Sequence, residues 1–449
     1  MLDVGRHPNI KLMAYSEVEE VNGEVGNFRV KIKRKARYVN EDKCTGCGAC
    51  SEKCPTVVPD AFNEGLSTRK AIYTWFAQGI PSTHTIDTEH CRQFQGKKCG
   101  ICQKVCQADA VEYDQKDKFV ELSVGAIVVA TGYEVFNPNR IPEYGYKEID
   151  NVVTAIEFER LLSASGPTGG HLYRPSDLKV KEEVPALEKS LKKLSKALER
   201  FEKKYGQKSE EFYKALGKEE QGNDPDKAKW AEAYEQKEEV SKRLSEYKAI
   251  LEKMDVAKKL AFIQCVGSRD IRFYPFCSGY CCMHSIKEAI IANEHEPETN
   301  SVIFGMDIRA VGKGFEEYKI RGADHSSITY VRGRVAEIIQ LPDKTPVVVY
   351  EDTMERVVRE EPFDLVILAT ACVPNKGTKE LAGILGIELD RFGFFRTTQA
   401  NPVDTTRPGI FVCGCADSPM DIPESVAQAS AAAARAAQVI VETEMKKAS

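Results

Sequence analysis

No G-x-G-x-x-G occurs anywhere in the 449 residues, so the chain lacks the glycine loop that seats a pyrophosphate at the first turn of a dinucleotide-binding domain. It has no long apolar run either. Stretches such as AIVVA at 126–130 fall far short of the roughly 20 residues needed to cross a bilayer, which excludes direct membrane insertion through a helix. The N-terminus carries no secretory pattern, so the sequence predicts a cytoplasmic protein. Nor is there an excess of one charge. With 63 basic against 68 acidic residues, no chain-wide field would draw nucleic acid or an anionic membrane.

What the chain does have is cysteine, 15 in all, and without a signal peptide these read as metal ligands rather than disulfides. Cys44, Cys47, Cys50 and Cys54-Pro55 form Cys-x2-Cys-x2-Cys-x3-Cys-Pro. Three thiolates on one tight loop take three corners of a 4Fe-4S cube, while the fourth turns toward a second cluster. Zinc is the rival, but zinc knuckles favour paired Cys-x2-Cys units. The partner set is Cys91, Cys99, Cys102 and Cys106, with a longer first loop and Gln107 in place of the usual proline. The exchange rule assigns Cys44, Cys47, Cys50 and Cys106 to one cluster and Cys54, Cys91, Cys99 and Cys102 to the other. The alternative makes Cys91 a bystander. Between Ala261 and His284, AFIQCVGSRDIRFYPFCSGYCCMH supplies Cys265, Cys277, Cys281 and Cys282, enough for a third 4Fe-4S cluster, with buried structural thiols as the competing reading. His284 reads as a neighbour of that site, not a ligand to it. Cys372, Cys413 and Cys415 stand apart.

The segments between predict an α/β fold with insertions. Residues 10–34 have the composition and the Asn22-Gly23 turn of an antiparallel meander. KFVELSVGAIVVATGY passes from an alternating strand to a continuously apolar, parallel-type one. Leu187, Leu191, Leu194, Leu198, Phe201 and Tyr205, then Val240, Leu244, Tyr247, Leu251 and Met254, keep coiled-coil spacing on either side of the charged link GKEEQGNDPD, and predict an antiparallel helical hairpin. Lys237 breaks the second seam. The hairpin reads either as a solvated spacer or as a docking arm. From Lys259 strands and helices alternate as in a second α/β domain with a small meander, and an Ala-rich helix begins after Pro423. The boundaries expected are 1–36 and 117–177 for a partial FAD-binding domain, 37–116 for a two-cluster ferredoxin module and 178–258 for the hairpin. They continue with 259–395 for a second Rossmann-like domain and 396–449 for the last part of the FAD domain.

Ala130-Thr131-Gly132 closing one strand and RPGIFVCG at 407–414 ending another are turns of the kind that two-dinucleotide-domain flavoproteins of the thioredoxin reductase type set against FAD, and a helix N-terminus near Gln428 would face the same cofactor. Taken with DVGRHPNI, KCTGCGAC, GLSTRKAIY, VVATGYEVF, FIQCVGSRD, CCMHSIKEAII, GKGFEEY, YVRGRV and DIPESVAQASAAAA, the chain resembles the A-type iron-sulfur subunit of heterodisulfide reductase. The resemblance omits roughly 180–258. It implies an electron-transfer subunit holding FAD and 4Fe-4S clusters, with flavin-based bifurcation in some complexes and disulfide cleavage left to another subunit. It also implies B- and C-type subunits, a hydrogenase- or formate dehydrogenase-type donor and ferredoxin as partners. Thr131, Gly132, Gly414, Asp421, Ile422 and Gln428 are the residues expected to line the flavin, although Cys415 stands where an acidic residue often follows the strand glycine. The missing glycine loop suggests a separate N-terminal half, and a UGA codon read as a stop just upstream would explain the start at Met1. Two other readings are a flavoprotein subunit of a quinone-interacting complex and a ferredoxin-like scaffold with a vestigial flavin half.

Overall fold

The computed structural model describes residues 2–216, 225–325 and 327–448. Strands Ser16–Glu24 and Asn27–Arg34 form a hairpin, and Lys118–Val124 pairs with the second of them. The hairpin does not turn at Asn22-Gly23 as expected. Glu24 pairs with Asn27, so Val25-Gly26 make the two-residue turn and Gly23, at φ +89°, lies in the ladder opposite Phe28. This register buries Val21, Phe28 and Val30 together, and a side chain at Gly23 would meet the Asn27 carbonyl. Arg34 pairs with Lys118, so the cysteine-rich module leaves and re-enters the meander at one place.

After Gly125 the chain enters the strand Ile127–Val129, which pairs in parallel with Ile410–Val412. The continuously apolar run predicts burial on both faces, but Val129 is buried while Val128 is 42% exposed. Among the described residues this sheet has two strands, and on the face of Val128 the helix Ile422–Ala448 buries the paired Phe411 against Ala432 while Val128 stays at the edge.

The larger sheet has seven strands. Val152–Thr154, Leu365–Thr370, Lys259–Val266, Asn300–Gly305 and Ile328–Gln340 run parallel, and Pro346–Asp352 and Val357–Pro362 extend the edge as the expected antiparallel meander. Val152–Thr154 and the helix Ala155–Leu162 fall in the stretch expected to continue the FAD domain, yet they join this sheet. Leu365–Thr370 is buried at all six positions, as a central parallel strand must be. The helices Ala155–Leu162 and Cys281–His295 cover one face through Phe158, Leu161, Ile286 and Ala289. Phe136, Tyr144, Phe304 and Tyr350 fill the other.

Helices Pro175–Tyr205 and Pro225–Glu252 form the antiparallel hairpin, with a short helix Ser209–Leu216 between them; Gly217–Asp224 of the expected charged link lie outside the described residues. Leu198 and Leu244 are buried in the seam, while Met254 falls beyond the helix end. Where Lys237 interrupts the apolar spacing, Trp230 takes over. Its ring stacks on Phe212 at 4.0 Å, Tyr205 at 5.3 Å and Phe201 at 5.9 Å, and its indole N–H donates to Ser209 Oγ at 2.9 Å. A bridge between Tyr173 and Val256 ties the two ends of the hairpin together where it leaves the sheet domain. No helix of the described residues is long and apolar enough to cross a membrane.

Candidate iron-sulfur and flavin sites

The two cysteine loops of the inserted module use the same local device. Gly48, at φ +81°, and Gly100, at φ +69°, each precede a short helix, Ala49–Glu52 and Ile101–Val105, and no atom lies within 4 Å of the position a Cβ would take at either. Left-handed backbone reverses the chain there, so Cys47 and Cys50, or Cys99 and Cys102, face the same side of a turn. Asn40 anchors the first loop by accepting from the amides of Asp42 and Lys43.

The thiols sort into two neighbourhoods. Burial pushes the Cys50 thiol up to about 11, and Cys102, Cys44 and Cys106 add to that rise. Burial also raises Cys102, where the added charges are Cys91 and Cys54. Cys54, Cys91, Cys99 and Cys102 line one small cavity of about 20 Å³ together with Ile72, Ile86 and Tyr113. The Tyr113 hydroxyl lies 2.9 Å from Cys102 Sγ, and the Ala110 amide donates to Cys106 Sγ at 3.3 Å. Burial disfavours a bare thiolate at Cys102, whereas a cationic iron-sulfide core would meet thiolates from all four cysteines at once. The donor set and its burial therefore fit 4Fe-4S chemistry.

At the third site the parallel strand Lys259–Val266 ends in an irregularity. Its register shifts between Ile263 and Val266, and Cys265 takes φ +61°, a strained setting for a side chain other than glycine. The next residue but one, Gly267 at φ +84°, packs so closely on Phe136 that a Cβ would lie 2.4 Å from the ring. Cys281 and Cys282 open the helix Cys281–His295, and Cys277 lies in the loop before it, with its sulfur accepting from the Gly279 amide at 3.4 Å. All four sulfurs converge. Burial raises Cys281 strongly, with Cys265, Cys282 and Cys277 adding to it, and Cys282 is raised by burial and then by Cys265 and Cys277. Arg269, held by Asp307, opposes the rise at Cys265.

The residues expected around a flavin share one region but not one role. Thr131 and Gly132 follow the strand Ile127–Val129; Gly132 has φ +69° and open space at its α-carbon, as does Gly414, also at φ +69°, apart from a contact with Ser425. The Gly414 amide donates to Gln428 Oε1 at 2.7 Å, and the Gln428 side-chain amide donates to Asp417 and to the Pro402 carbonyl. Asp421 and Glu424 exchange hydrogen bonds as a capping box, so the Asp421 carboxylate is engaged with its own helix. Ile422 is 80% exposed. That helix, Ile422–Ala448, begins within two residues of the start expected after Pro423, which leaves Gln428 in its second turn and not at its N-terminus.

One pair escaped the sequence. Cys372, fully buried, hydrogen-bonds Cys415, which pulls the Cys415 thiol down to about 6 and raises Cys372; Cys281 is near enough to add to that rise. The strand Cys372–Pro374 reaches this place by pairing with Tyr133–Val135, a contact with no local sequence signal.

The 4Fe-4S binding domain family matches residues 37–60. Over 99% of its length the chain is 37% identical to the A-type subunit of the H(2):CoB-CoM heterodisulfide,ferredoxin reductase of Methanothermobacter thermautotrophicus. It is 42% identical over 99% to one of the A-type iron-sulfur subunits of the CoB--CoM heterodisulfide reductase of Methanopyrus kandleri. The chain belongs to the family of A-type heterodisulfide reductase subunits. It spans 56% of each of those two relatives, a little over half of their length. A protein of Archaeoglobus profundus named for its likeness to the same heterodisulfide reductase subunit is 39% identical over 99% of this chain and 58% of its own. Among solved structures, the thioredoxin reductase of Lactococcus lactis aligns with 41% of this chain and 54% of its own at 22% identity and a TM-score of 0.29.

Proposed function

We propose that this chain is an electron-transfer subunit of a cytoplasmic heterodisulfide reductase-like complex, passing electrons between FAD and three 4Fe-4S clusters. The observation that carries the reading is the gathering of thiols far apart in sequence. Cys54 meets Cys91, Cys99 and Cys102 around one cavity, and Cys265 meets Cys277, Cys281 and Cys282 at a strand end. On this reading Cys44, Cys47, Cys50 and Cys106 hold one cluster, Cys54, Cys91, Cys99 and Cys102 a second, and the Cys265 group a third. Thr131, Gly132 and Gly414 offer the turns that approach the flavin, with Gln428 fixing Gly414, while Asp421 and Ile422 stand at the start of the helix behind it. When bound, such clusters carry single electrons and FAD carries pairs, which is the combination bifurcation requires. The protein's own part is to hold the groups, exclude water and set potentials through hydrogen bonds such as that of Tyr113.

B- and C-type subunits, a hydrogenase- or formate dehydrogenase-type donor, ferredoxin and a separate N-terminal half are the partners this reading calls for. The test is anaerobic reconstitution of the chain with iron and sulfide, with and without such an N-terminal half. About twelve irons are expected per chain, falling to about eight in Cys281→Ser/Cys282→Ser, and FAD is expected to be retained once the partner is present. No more than two clusters, unchanged by that double substitution, would remove the third site.

A further inference from the structure

Beside the third cysteine group, three oxygen and nitrogen donors meet that neither an iron-sulfur cluster nor a flavin would use. Glu159 comes from the helix Ala155–Leu162, and His284 and Glu288 come from the helix Cys281–His295, where a spacing of four puts them on one face. One ligand atom of each lies within 4.8 Å of those of the other two. We infer that Glu159, His284 and Glu288 form a binding site for a first-row divalent cation such as Zn²⁺.

The decisive group is Glu288. Its side chain is 0% exposed, and neither carboxylate oxygen accepts a hydrogen bond. His284 Nε2 stands 3.0 Å from Glu288 Oε1, an ion-pair contact only when the imidazole is protonated, and without the alignment of a hydrogen bond. A buried carboxylate left in that state is costly, and a second carboxylate close by makes it more so. A cation removes both problems, because it bonds each oxygen without the angular demand of an N–H donor, and a doubly charged ion balances two carboxylates beside a neutral imidazole. The third donor is in reach, with Glu159 Oε2 at 4.0 Å from His284 Nε2. Lys287 donates to the same Glu159 oxygen, and a carboxylate has a second oxygen to offer an ion.

The donor types select the ion. One imidazole and two carboxylates suit Zn²⁺, Mn²⁺ or Fe²⁺, whereas the thiolates next door take iron-sulfur cores. Three protein ligands leave a tetrahedral ion one open position. Glu159 and His284 line a cavity of about 210 Å³ that also reaches Tyr133, Tyr280, Cys281 and Thr370, so solvent or a small oxygen donor has room beside the ion. The cavity joins the turn after Gly132 to the Cys281 end of the third cysteine group.

The test uses the full chain with its clusters assembled anaerobically, washed with EDTA and then titrated with Zn²⁺. One equivalent is expected to bind with iron content unchanged, and X-ray absorption at the zinc edge should show only nitrogen and oxygen neighbours at about 2.0–2.1 Å. Glu288→Gln and His284→Asn should each weaken binding by about tenfold or more. Glu159→Gln should do the same, and because Glu159 sits on the more exposed side of the site, its loss leaves the helix packing in place. A sulfur shell at about 2.3 Å, no zinc bound above background, or an affinity equal to the parent's in all three variants would overturn the assignment.

Discussion

Replacing Tyr113 by Phe isolates one hydrogen bond to one proposed cluster. The Tyr113 hydroxyl lies 2.9 Å from Cys102 Sγ in a pocket where Cys102 is 8% exposed, so solvent does little to screen it. A hydrogen bond to a charged group is worth about 1.5–3 kcal/mol. Only the part that differs between oxidation states moves a potential. Taking about 1 kcal/mol for that part, and about 59 mV per tenfold change in a one-electron equilibrium, the loss should lower the midpoint by about 40 mV. The sign follows from charge, since the O–H stabilises the more negative, reduced state. A potentiometric titration followed by EPR would read the shift. It should fall on the cluster of Cys54, Cys91, Cys99 and Cys102, and the one containing Cys44 should stay put. An upward shift, or an equal shift at both clusters, would refute either the ligand sorting or the role of the hydroxyl.

Gly267→Ala should destabilise the fold by about 2–4 kcal/mol, adding left-handed strain to overpacking against the buried Phe136 ring, and should reduce the iron held at the third site; a thermal midpoint and iron content equal to the parent would contradict this. Trp230→Ala should cost the helical hairpin about 3–5 kcal/mol, because it removes the stack with Phe201, Tyr205 and Phe212, and hydrogen exchange should speed up there while cluster content holds. Cys415 should be alkylated with a pH midpoint near 6, its thiolate being held by Cys372, and Cys372→Ala should move the midpoint up toward the ordinary thiol range. Because the folded value is depressed, that hydrogen bond adds stability fully present above the unfolded thiol value of about 8.5, and the contribution is lost as pH falls through 6. Peptide mass spectrometry after iodoacetamide on the cluster-loaded chain reads the labelling, and an unshifted wild-type midpoint would end the argument.

Local chemistry was legible wherever a short spacing carried it. Cys47-Gly48 and Cys99-Gly100 announce tight turns because only glycine adopts their backbone without strain, and LVILAT announces a central strand because every position is apolar or a lone threonine at its end. Long-range pairing was not. The hairpin turns beyond Asn22-Gly23 because burial of Val21 with Phe28 outweighs the local turn preference. Val128 looks like a core residue in sequence and is half out in solvent while its partner Phe411 is buried, since periodicity cannot say which strand of a sheet a covering helix reaches. Lys237 hides a seam that Trp230 completes from about two turns earlier, through stacking that a count of leucines misses. The contact between Cys372 and Cys415 rests on pairing of Cys372–Pro374 with Tyr133–Val135, far apart in the chain, and no motif encodes it.

With the proposed ligand sets, cluster insertion and folding would be one process in this chain. Burial raises Cys50, Cys102, Cys281 and Cys282, so without iron these groups favour the neutral thiol and resist the state a cluster requires. Cys265 sits in strained backbone, and Cys281 and Cys282 crowd the first turn of one helix. Each arrangement costs free energy in the metal-free protein, and each would be relieved once four thiolates shared one cationic core, so iron-sulfide binding would supply part of the folding free energy at each proposed site. Both insertions fit that logic. The ferredoxin module hangs from the paired ends Arg34 and Lys118 and the helical hairpin from the bridge of Tyr173 to Val256, so neither needs the other's contacts to close. The Cys265 group, by contrast, is made from the end of a central parallel strand, the loop after it and the start of the helix that covers the sheet, so its assembly is inseparable from that of the seven-stranded core.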